Sequence, residues 1–327
     1  MQTLVMAHAA FGHNHFFRNN HLFRQWTDAE AILDYLEFAK SYIARCEERY
    51  GSRAVERLLD AAHALMDQGV NRYHRKRRGG IRWVEERERA RLRYEEESYN
   101  DLWQRTVPQG APHSQAERGG VRQERAALDL PEENILYFLE KNAPKLESWQ
   151  REILRIVRQL AQYFYPQKQT KVMNEGCATY VHYRIMNRLH ETGRLSDGGF
   201  MEFLHSHTAV IFQPDFDDPR YSGINPYTLG FEMMRDIQRI CEEPTEEDRE
   251  WFPDIAGSGA TMEVLRDAWA QYRDESFVLQ FLSPALIRKL KLFALSTEED
   301  NTHYLVNAIH NERGYQKIRK NLARSYD

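Results

Sequence analysis

The chain has 327 residues, of which 42% are apolar and 29% charged, so it can bury the core of one large domain or two ordinary ones. The formal net charge of −4 excludes a global basic field that would attract nucleic acid, and the sequence has no run of about 18 apolar residues that would predict a membrane-spanning helix. Three scattered cysteines (Cys46, Cys177 and Cys241) predict neither a disulfide framework nor a cysteine zinc site, which favours a cytoplasmic location.

Helical signals begin with the first residues. The N-terminal segment, MQTLVMAHAAFGHNHFF, carries apolar residues from its start and has no capping residue, so we expect the chain to be a truncated piece of a longer protein. Thr27 and Glu30 have the spacing of a capping box and predict the start of a helix, which Gly51 ends. The spacing of apolar residues predicts a second helix from Val55 to Met66.

The next segment is highly charged. Residues 74–105 alternate basic and acidic side chains at helical spacing, which predicts a solvated helix with surface ion pairs. The alternative, a nucleic-acid or phosphate site at the HRKRR cluster (residues 74–78), is not favoured because the neighbouring EERE run largely cancels its charge. Residues 106–131 are rich in Gly, Pro and Gln and predict a flexible loop or insertion. We therefore expect an N-terminal helical part (1–105), this loop (106–131) and a helical core (132–327).

The predicted core carries successive helical patterns and few β-branched runs. A long apolar stripe opens at Pro144 and is expected to end at Pro166, because proline interrupts helical hydrogen bonding. Residues 277–281 fit either a helix start or a strand. Residues 291–295 and 303–308 alternate weakly between apolar and polar side chains and predict a small sheet. Further helices are predicted at residues 172–190, 199–210, 229–240, 260–273, 285–291 and 311–325. The predicted fold class is mainly α, a multi-helix globular domain with at most a small β element.

Glu175 and His182 are the first candidate site residues. They are seven positions apart, so in an α-helix they lie on one stripe, and zinc accepts both their oxygen and nitrogen atoms as ligands. Gly176 beside the carboxylate leaves room for a neighbouring backbone or a ligand. The alternative is a structural pair that bonds only to nearby backbone or to Arg184.

His8 and His13 are the second candidate pair. They are five apart, which in a regular α-helix separates them by about 140°. They converge only if the helix bulges or ends near Gly12. The residues between them include no glutamate, so the HExxH pattern of zinc peptidases is missing. The alternative is that both histidines are satisfied at a helix end.

Other residues offer supporting chemistry. His205 and His207 in FLHSHTAV offer further donors, and one of them would support the site by orienting a ligand or by carrying a proton. We expect His182 or His205 to accept the proton of an activated water. A catalytic thiol at Cys177 is not favoured, since the sequence places no base beside it.

Several long strings carry a family resemblance. FGHNHFFRNNHLF, KVMNEGCATYVHYRIMNRLHE, FLHSHTAVIFQP and SGINPYTLGFEMMRDI resemble the SpoVR family (stage V sporulation protein R-like), in its YcgB-type branch. The resemblance implies a link to sporulation, through the spore cortex, or to a stress or starvation response. It also implies a PrkA-like serine kinase as a partner and further family sequence beyond both ends, including a C-terminal extension. The family usually has tryptophan where this chain has Cys177, which puts the rigidity of the packing behind Glu175 in question.

A second, shorter likeness concerns mechanism. NEGCATYV is similar to the NEGFA-type segment of gluzincin aminopeptidases, in which the glutamate matching Glu175 is the third zinc ligand. The likeness implies a divalent metal, zinc first, held by His8, His13 and Glu175. Two hypotheses result: a metal-dependent hydrolase that acts on peptide or cell-wall precursor bonds, and a non-catalytic regulatory or scaffold factor that works with the kinase.

Overall fold

The structure, a computed structural model, describes residues 2–27, 31–72, 134–297 and 304–326. Over these residues it consists of helices and one two-stranded antiparallel hairpin, so the predicted mainly α fold class is confirmed. No helix within these ranges is both long and apolar enough to cross a membrane. The Thr27–Glu30 capping box, the predicted charged helix with its HRKRR cluster, and the predicted loop at 106–131 all involve residues outside the described ranges.

The helices and strands are numbered here in chain order. They are α1 (Gln2–Met6), a π-helical segment (Ala7–His13), α2 (Asn14–Asn19), α3 (His21–Trp26), α4 (Ala31–Tyr50), α5 (Ser52–Ala64), a 3-10 turn (Met66–Gln68), α6 (Ile135–Asn142), α7 (Ser148–Gln169), α8 (Lys171–Glu191), α9 (Asp197–Val210), α10 (Pro226–Glu242), α11 (Glu246–Trp251), α12 (Thr261–Gln271), α13 (Asp274–Phe281), α14 (Pro284–Lys289), β1 (Ala294–Thr297), β2 (Tyr304–Ala308) and α15 (Glu312–Arg324).

Contacts divide the chain into two compact units. One combines Met1–Ile32 with Tyr163–Asp327, and the other is Leu33–Gln162. The division differs from the expected boundaries at residues 105 and 131, because the first 32 residues pack with the C-terminal half of the chain rather than with their sequence neighbours. The candidate residues of the N-terminal segment and those near the middle of the chain therefore fall in one unit.

The unit Leu33–Gln162 is built on α4, α5, α6 and the first part of α7. Trp149 and Ile153 of α7 form a small core with Cys46 of α4 and Val55 of α5. Gly51, between α4 and α5, has a φ of +87°, a conformation that L side chains rarely adopt. The predicted helix end at this glycine is confirmed.

In the other unit α8 lies at the centre. Most of its side chains are buried from Val172 to His182, so this helix is covered on more than one face. Gly176 of α8 meets Gly230 of α10 backbone to backbone, and a Cβ atom on Gly176 would lie 2.6 Å from the Gly230 carbonyl carbon. Only two glycines allow helices to cross this closely. Of the two neighbours expected at Gly176, a backbone or a ligand, the structure has the backbone of α10.

The predicted helix end at Pro166 is wrong. Helix α7 continues through Pro166 to Gln169, and the chain departs from helical geometry at Thr170, where φ is −132° and ψ is 24°. Proline removes one backbone hydrogen bond, at a cost of about 3 kcal/mol in a helix interior. Burial of the adjacent Tyr165 supplies stabilisation that opposes this cost.

The C-terminal elements largely follow the predicted pattern. Residues 277–281 belong to helix α13, which decides between the two alternatives, and β1 pairs with β2 as the predicted small sheet. Helix α11 is an addition, since none of the predicted helices covers its residues. Thr245 and Asp248 cap it reciprocally, in a capping box with aspartate in the place of glutamate, and that spacing is the signal that predicts it.

Candidate metal centre

A π-helical segment brings His8 and His13 together. In a π-helix the backbone bonds to the residue five positions back, so residues five apart come to one face. Ala7–His13 has this geometry, and Nε2 of His8 lies 3.1 Å from Nε2 of His13. Gly12, inside the segment, is buried against α8, where a Cβ atom would lie 2.5 Å from Cα of Ala178. The helix thus departs from α geometry next to Gly12, where the sequence analysis required a bulge.

Glu175 reaches the two histidines from α8. Its Oε2 atom lies 3.6 Å from Nε2 of His13, with side-chain exposures of 19% for Glu175 and 21% for His13. His8, His13 and Glu175 each offer one ligand atom, and these three atoms all lie within 4.8 Å of one another. Oε2 of Glu175 is buried and has no hydrogen-bond partner among the described residues. The three residues predicted from remote segments are therefore brought together.

A second layer of polar groups orients the two histidines. Nδ1 of His13 lies 2.8 Å from Oδ1 of Asn174, and Nδ1 of His8 lies 2.9 Å from Nδ1 of His182. Asn174, which the sequence analysis did not single out, precedes Glu175 and is almost fully buried. His182 is also buried, two helical turns beyond Glu175 on α8. Both ligand imidazoles therefore have one nitrogen held by α8 and the other directed into the cluster.

Burial favours the neutral form of three imidazoles, those of His8, His182 and His207. Burial, followed by the neighbouring His13, lowers the pKa of His8. Burial, followed by His207 and His8, lowers the pKa of His182 to about 3. Burial, followed by Arg235, lowers the pKa of His207 to about 4. Neutral imidazole is the form that binds metal ions, so the lowered pKa of His8 favours its ligating form.

The structure distinguishes the two histidines of α9. His205 is exposed and lies outside the cluster, so the structure gives no support to the predicted proton-accepting role. His207 is buried, and its Nδ1 atom lies 3.0 Å from Nε2 of His182. Phe203, four positions before His207, is also buried and marks the inner face of α9. That helical spacing is the sequence signal that selects His207 over His205.

Two other candidate residues have clear positions. Cys177 is fully buried and burial raises the pKa of its thiol, which argues against a nucleophile there. Tyr227, at the start of α10, lies beside the metal-ligand candidates: burial, followed by the charge of the Glu175 carboxylate and a hydrogen bond to that carboxylate, raises its pKa. Its hydroxyl therefore stays protonated near pH 7.

A cleft opens onto this cluster. It has a volume of about 790 Å³, and His13 and Glu175 form part of its wall. The remaining lining residues combine aromatic, amide and ammonium groups: Ala9, Asn14, Phe17, Phe164, Gln167, Lys168, Lys171 and Asn174. This volume lies in the range of small-molecule binding sites, so a ligand the size of a short peptide would fit against the cluster.

Fold and site together define a class of mainly helical protein. In it a π-helical segment and a central helix bring two histidines and one glutamate together beside a cleft. Comparison with known sequences is more specific: the family model described as SpoVR like protein matches residues 1–327, and the chain belongs to this family. The predicted family is thus confirmed.

One curated relative extends the comparison. The chain is 54% identical over 327 residues to "Uncharacterized protein YcgB" of Escherichia coli (strain K12). The match covers 100% of this chain and 63% of the relative, so the chain spans less than two thirds of that protein's length. No solved structure matches the chain.

Proposed function

We propose that His8, His13 and Glu175 bind a divalent metal ion, zinc first, and that the centre serves a hydrolase. One observation carries the proposal: Oε2 of Glu175 is buried without a hydrogen-bond donor among the described residues, while two imidazole nitrogens lie on its open side. A buried carboxylate oxygen is costly unless a cation or donor compensates it. A metal ion between the three groups would supply that compensation.

Two of the three ligand–ligand distances fit one ion. Zinc lies about 2.1 Å from nitrogen and oxygen ligands. A 3.1 Å separation between the two Nε2 atoms then corresponds to an angle of about 95° at the ion. The 3.6 Å separation between Nε2 of His13 and Oε2 of Glu175 corresponds to about 118°. These angles lie on either side of the tetrahedral value, so the donor set suits zinc with one position left for a substrate or water.

The surrounding residues support a peptide-like substrate. A bound zinc ion would polarise a carbonyl group and lower the pKa of a bound water. Phe17 and Phe164 offer apolar surfaces in the cleft, and the ammonium group of Lys171 suits a carboxylate. We therefore propose peptide or cell-wall precursor bonds as the substrate class.

The cellular setting is also part of the proposal. We place the activity in the cytoplasm, in sporulation (the spore cortex) or a stress or starvation response. Family membership supports this setting, and the buried free cysteines agree with a reducing compartment. The rival proposal is a non-catalytic regulatory or scaffold factor that acts with a PrkA-like kinase. In that case the histidine cluster would be structural and would bind no metal.

Metal analysis of the purified protein separates the two proposals. We expect about one zinc per chain after loading and dialysis, and less than about one tenth in the isosteric Glu175→Gln variant, because a neutral amide is a poor zinc ligand. Glu191→Ala is the matched control, since Glu191 lies on the same helix α8 with a 62% exposed side chain. The wild type should then be assayed on a peptide mixture with and without zinc.

Three results would contradict the proposal or one part of it. Wild-type protein that retains no metal removes the metal centre and favours the scaffold. Glu175→Gln protein that retains as much zinc as the wild type removes Glu175 from the ligand set. A zinc-loaded wild type that cleaves no peptide, while the control assay works, leaves the metal centre and refutes the substrate class.

A further inference from the structure

A line of three imidazoles, two of them buried, leads away from the candidate ligands. It starts at His8, passes through His182 of α8 and ends at His207 of α9, with nitrogen–nitrogen distances of 2.9 Å and 3.0 Å. His182 and His207 are each only 4% exposed. Both ring nitrogens of His182 are therefore engaged by other imidazoles, and neither is open to accept a proton from a substrate.

The number of protons in this line is fixed. A neutral imidazole has one N–H donor and one acceptor nitrogen, and each contact needs one of each. With one proton on each ring, only two arrangements satisfy both contacts, and in each of them the Nδ1–H between His8 and His182 also has the Ala178 carbonyl as an acceptor. In the outward arrangement His8 donates from Nδ1 to His182, and His182 donates from Nε2 to His207. In the inward arrangement both bonds are reversed, and His8 carries its proton on Nε2.

The two arrangements differ at the candidate metal centre. The inward one lets Nε2–H of His8 donate across 3.1 Å to Nε2 of His13, whose Nδ1–H donates in turn to Oδ1 of Asn174. Every ring nitrogen between His13 and His182 is then paired without a metal. The outward one leaves lone pairs on Nε2 of both His8 and His13, which is what a shared metal ion requires.

We propose that His182 and His207 are positioning residues that set the tautomer of His8, so that metal binding reverses the hydrogen bonds along all three imidazoles. The inference rests on the proposed metal centre. The reversal conserves protons: His8 loses its Nε2 proton to solvent, one proton moves across each of the two contacts, and solvent supplies one proton to Nε2 of His207. Metal affinity therefore depends on a group that never touches the ion.

The tautomers are measurable in wild-type protein. Long-range ¹H–¹⁵N NMR of protein labelled at histidine nitrogen distinguishes Nδ1–H from Nε2–H. We expect His182 to carry Nδ1–H in metal-free protein and Nε2–H after addition of zinc. A zinc-loaded protein in which His182 keeps its proton on Nδ1 would overturn the inference even if zinc is bound. This measurement needs no substitution and so does not depend on how a variant folds.

Variants of His207 test the same point through affinity. The Oδ1 atom of asparagine can occupy the place of Nδ1 and accept the His182 Nε2 proton, whereas leucine cannot. We expect His207→Leu to weaken zinc binding by about tenfold or more and His207→Asn to stay within about threefold of the wild type. His205→Asn, on the same helix and exposed, should have no effect. Competition with a chromophoric chelator gives these affinities.

The outcomes separate this inference from the proposed function. Wild-type protein without zinc refutes the metal centre and with it the inference. Wild-type protein that binds zinc, together with a His207→Leu variant whose affinity matches it, refutes the inference alone. A fall in affinity that asparagine does not restore would show that position 207 acts by packing rather than by accepting a proton, and would also refute it.

Discussion

Substitution of Gly12 by alanine should disrupt the proposed metal centre without touching a ligand. The new Cβ atom would lie 2.5 Å from Cα of Ala178 and 2.9 Å from its Cβ. Carbon atoms in contact normally lie about 3.5–4.0 Å apart, so the π-helical segment must move by about 1 Å relative to α8. Because the nearest atom belongs to the backbone, rotation of a side chain cannot relieve the contact. Overpacking of this kind costs about 1–3 kcal/mol.

The same movement carries His8 and His13 away from Glu175. Ligand distances in a zinc site are held within about 0.2 Å, so we expect zinc affinity to fall by at least about tenfold. Urea unfolding of metal-free protein measures the stability, and chelator competition measures the affinity. Gly198→Ala is the matched control, because no atom lies within 4 Å of its Cβ position. A Gly12→Ala variant with wild-type stability and affinity would refute the close approach of the two helices.

Two further substitutions test the electrostatics of the core. Burial raises the pKa of Asp274 to about 7, although two backbone N–H groups of α8 donate to it, so the folded protein holds this proton more tightly than the unfolded chain. The stability that this proton contributes is then lost as the pH rises from about 4 through 7. Between pH 5 and 8, urea unfolding should show that the wild type loses about 2–3 kcal/mol of stability relative to Asp274→Asn. A difference between the two proteins that stays constant with pH would contradict the raised pKa. Arg239→Ala should lower the free energy of unfolding by about 3–5 kcal/mol in the same assay, because Arg239 pairs with the buried Asp248. Arg188 belongs to an exposed pair, so Arg188→Ala should lower it by less than about 1 kcal/mol. Equal losses in the two arginine variants would contradict this estimate.

The local parts of the site could be predicted from the sequence. Helical periodicity places Glu175 and His182 on one stripe of α8, and the five-residue spacing of His8 and His13 identifies where the N-terminal helix must depart from α geometry. The choice of His207 over His205 also lies in the periodicity, through the buried Phe203. These features depend only on neighbours along the chain.

The remaining parts depend on contacts between distant residues. Gly12 and Ala178 touch although 166 positions separate them, and no periodicity in either segment indicates that contact. The domain boundaries expected from composition differ from the contact units for the same reason, since the first 32 residues pack with the other end of the chain. At Pro166 the local rule conflicts with tertiary burial, and burial has the larger effect.

The small residues of the π-helical segment explain both how the site forms and what it lacks. Ala7 and Gly12 are buried, and Gly12 lies against the backbone of α8, which lets the two histidines reach Glu175 over short distances. A glutamate between the histidines, as in HExxH, would supply a proton acceptor, but this segment has only alanine, phenylalanine and glycine there. His182 does not replace it, since both of its nitrogens are engaged. Hydrolysis at this centre therefore requires a proton acceptor from the substrate or from another part of the protein.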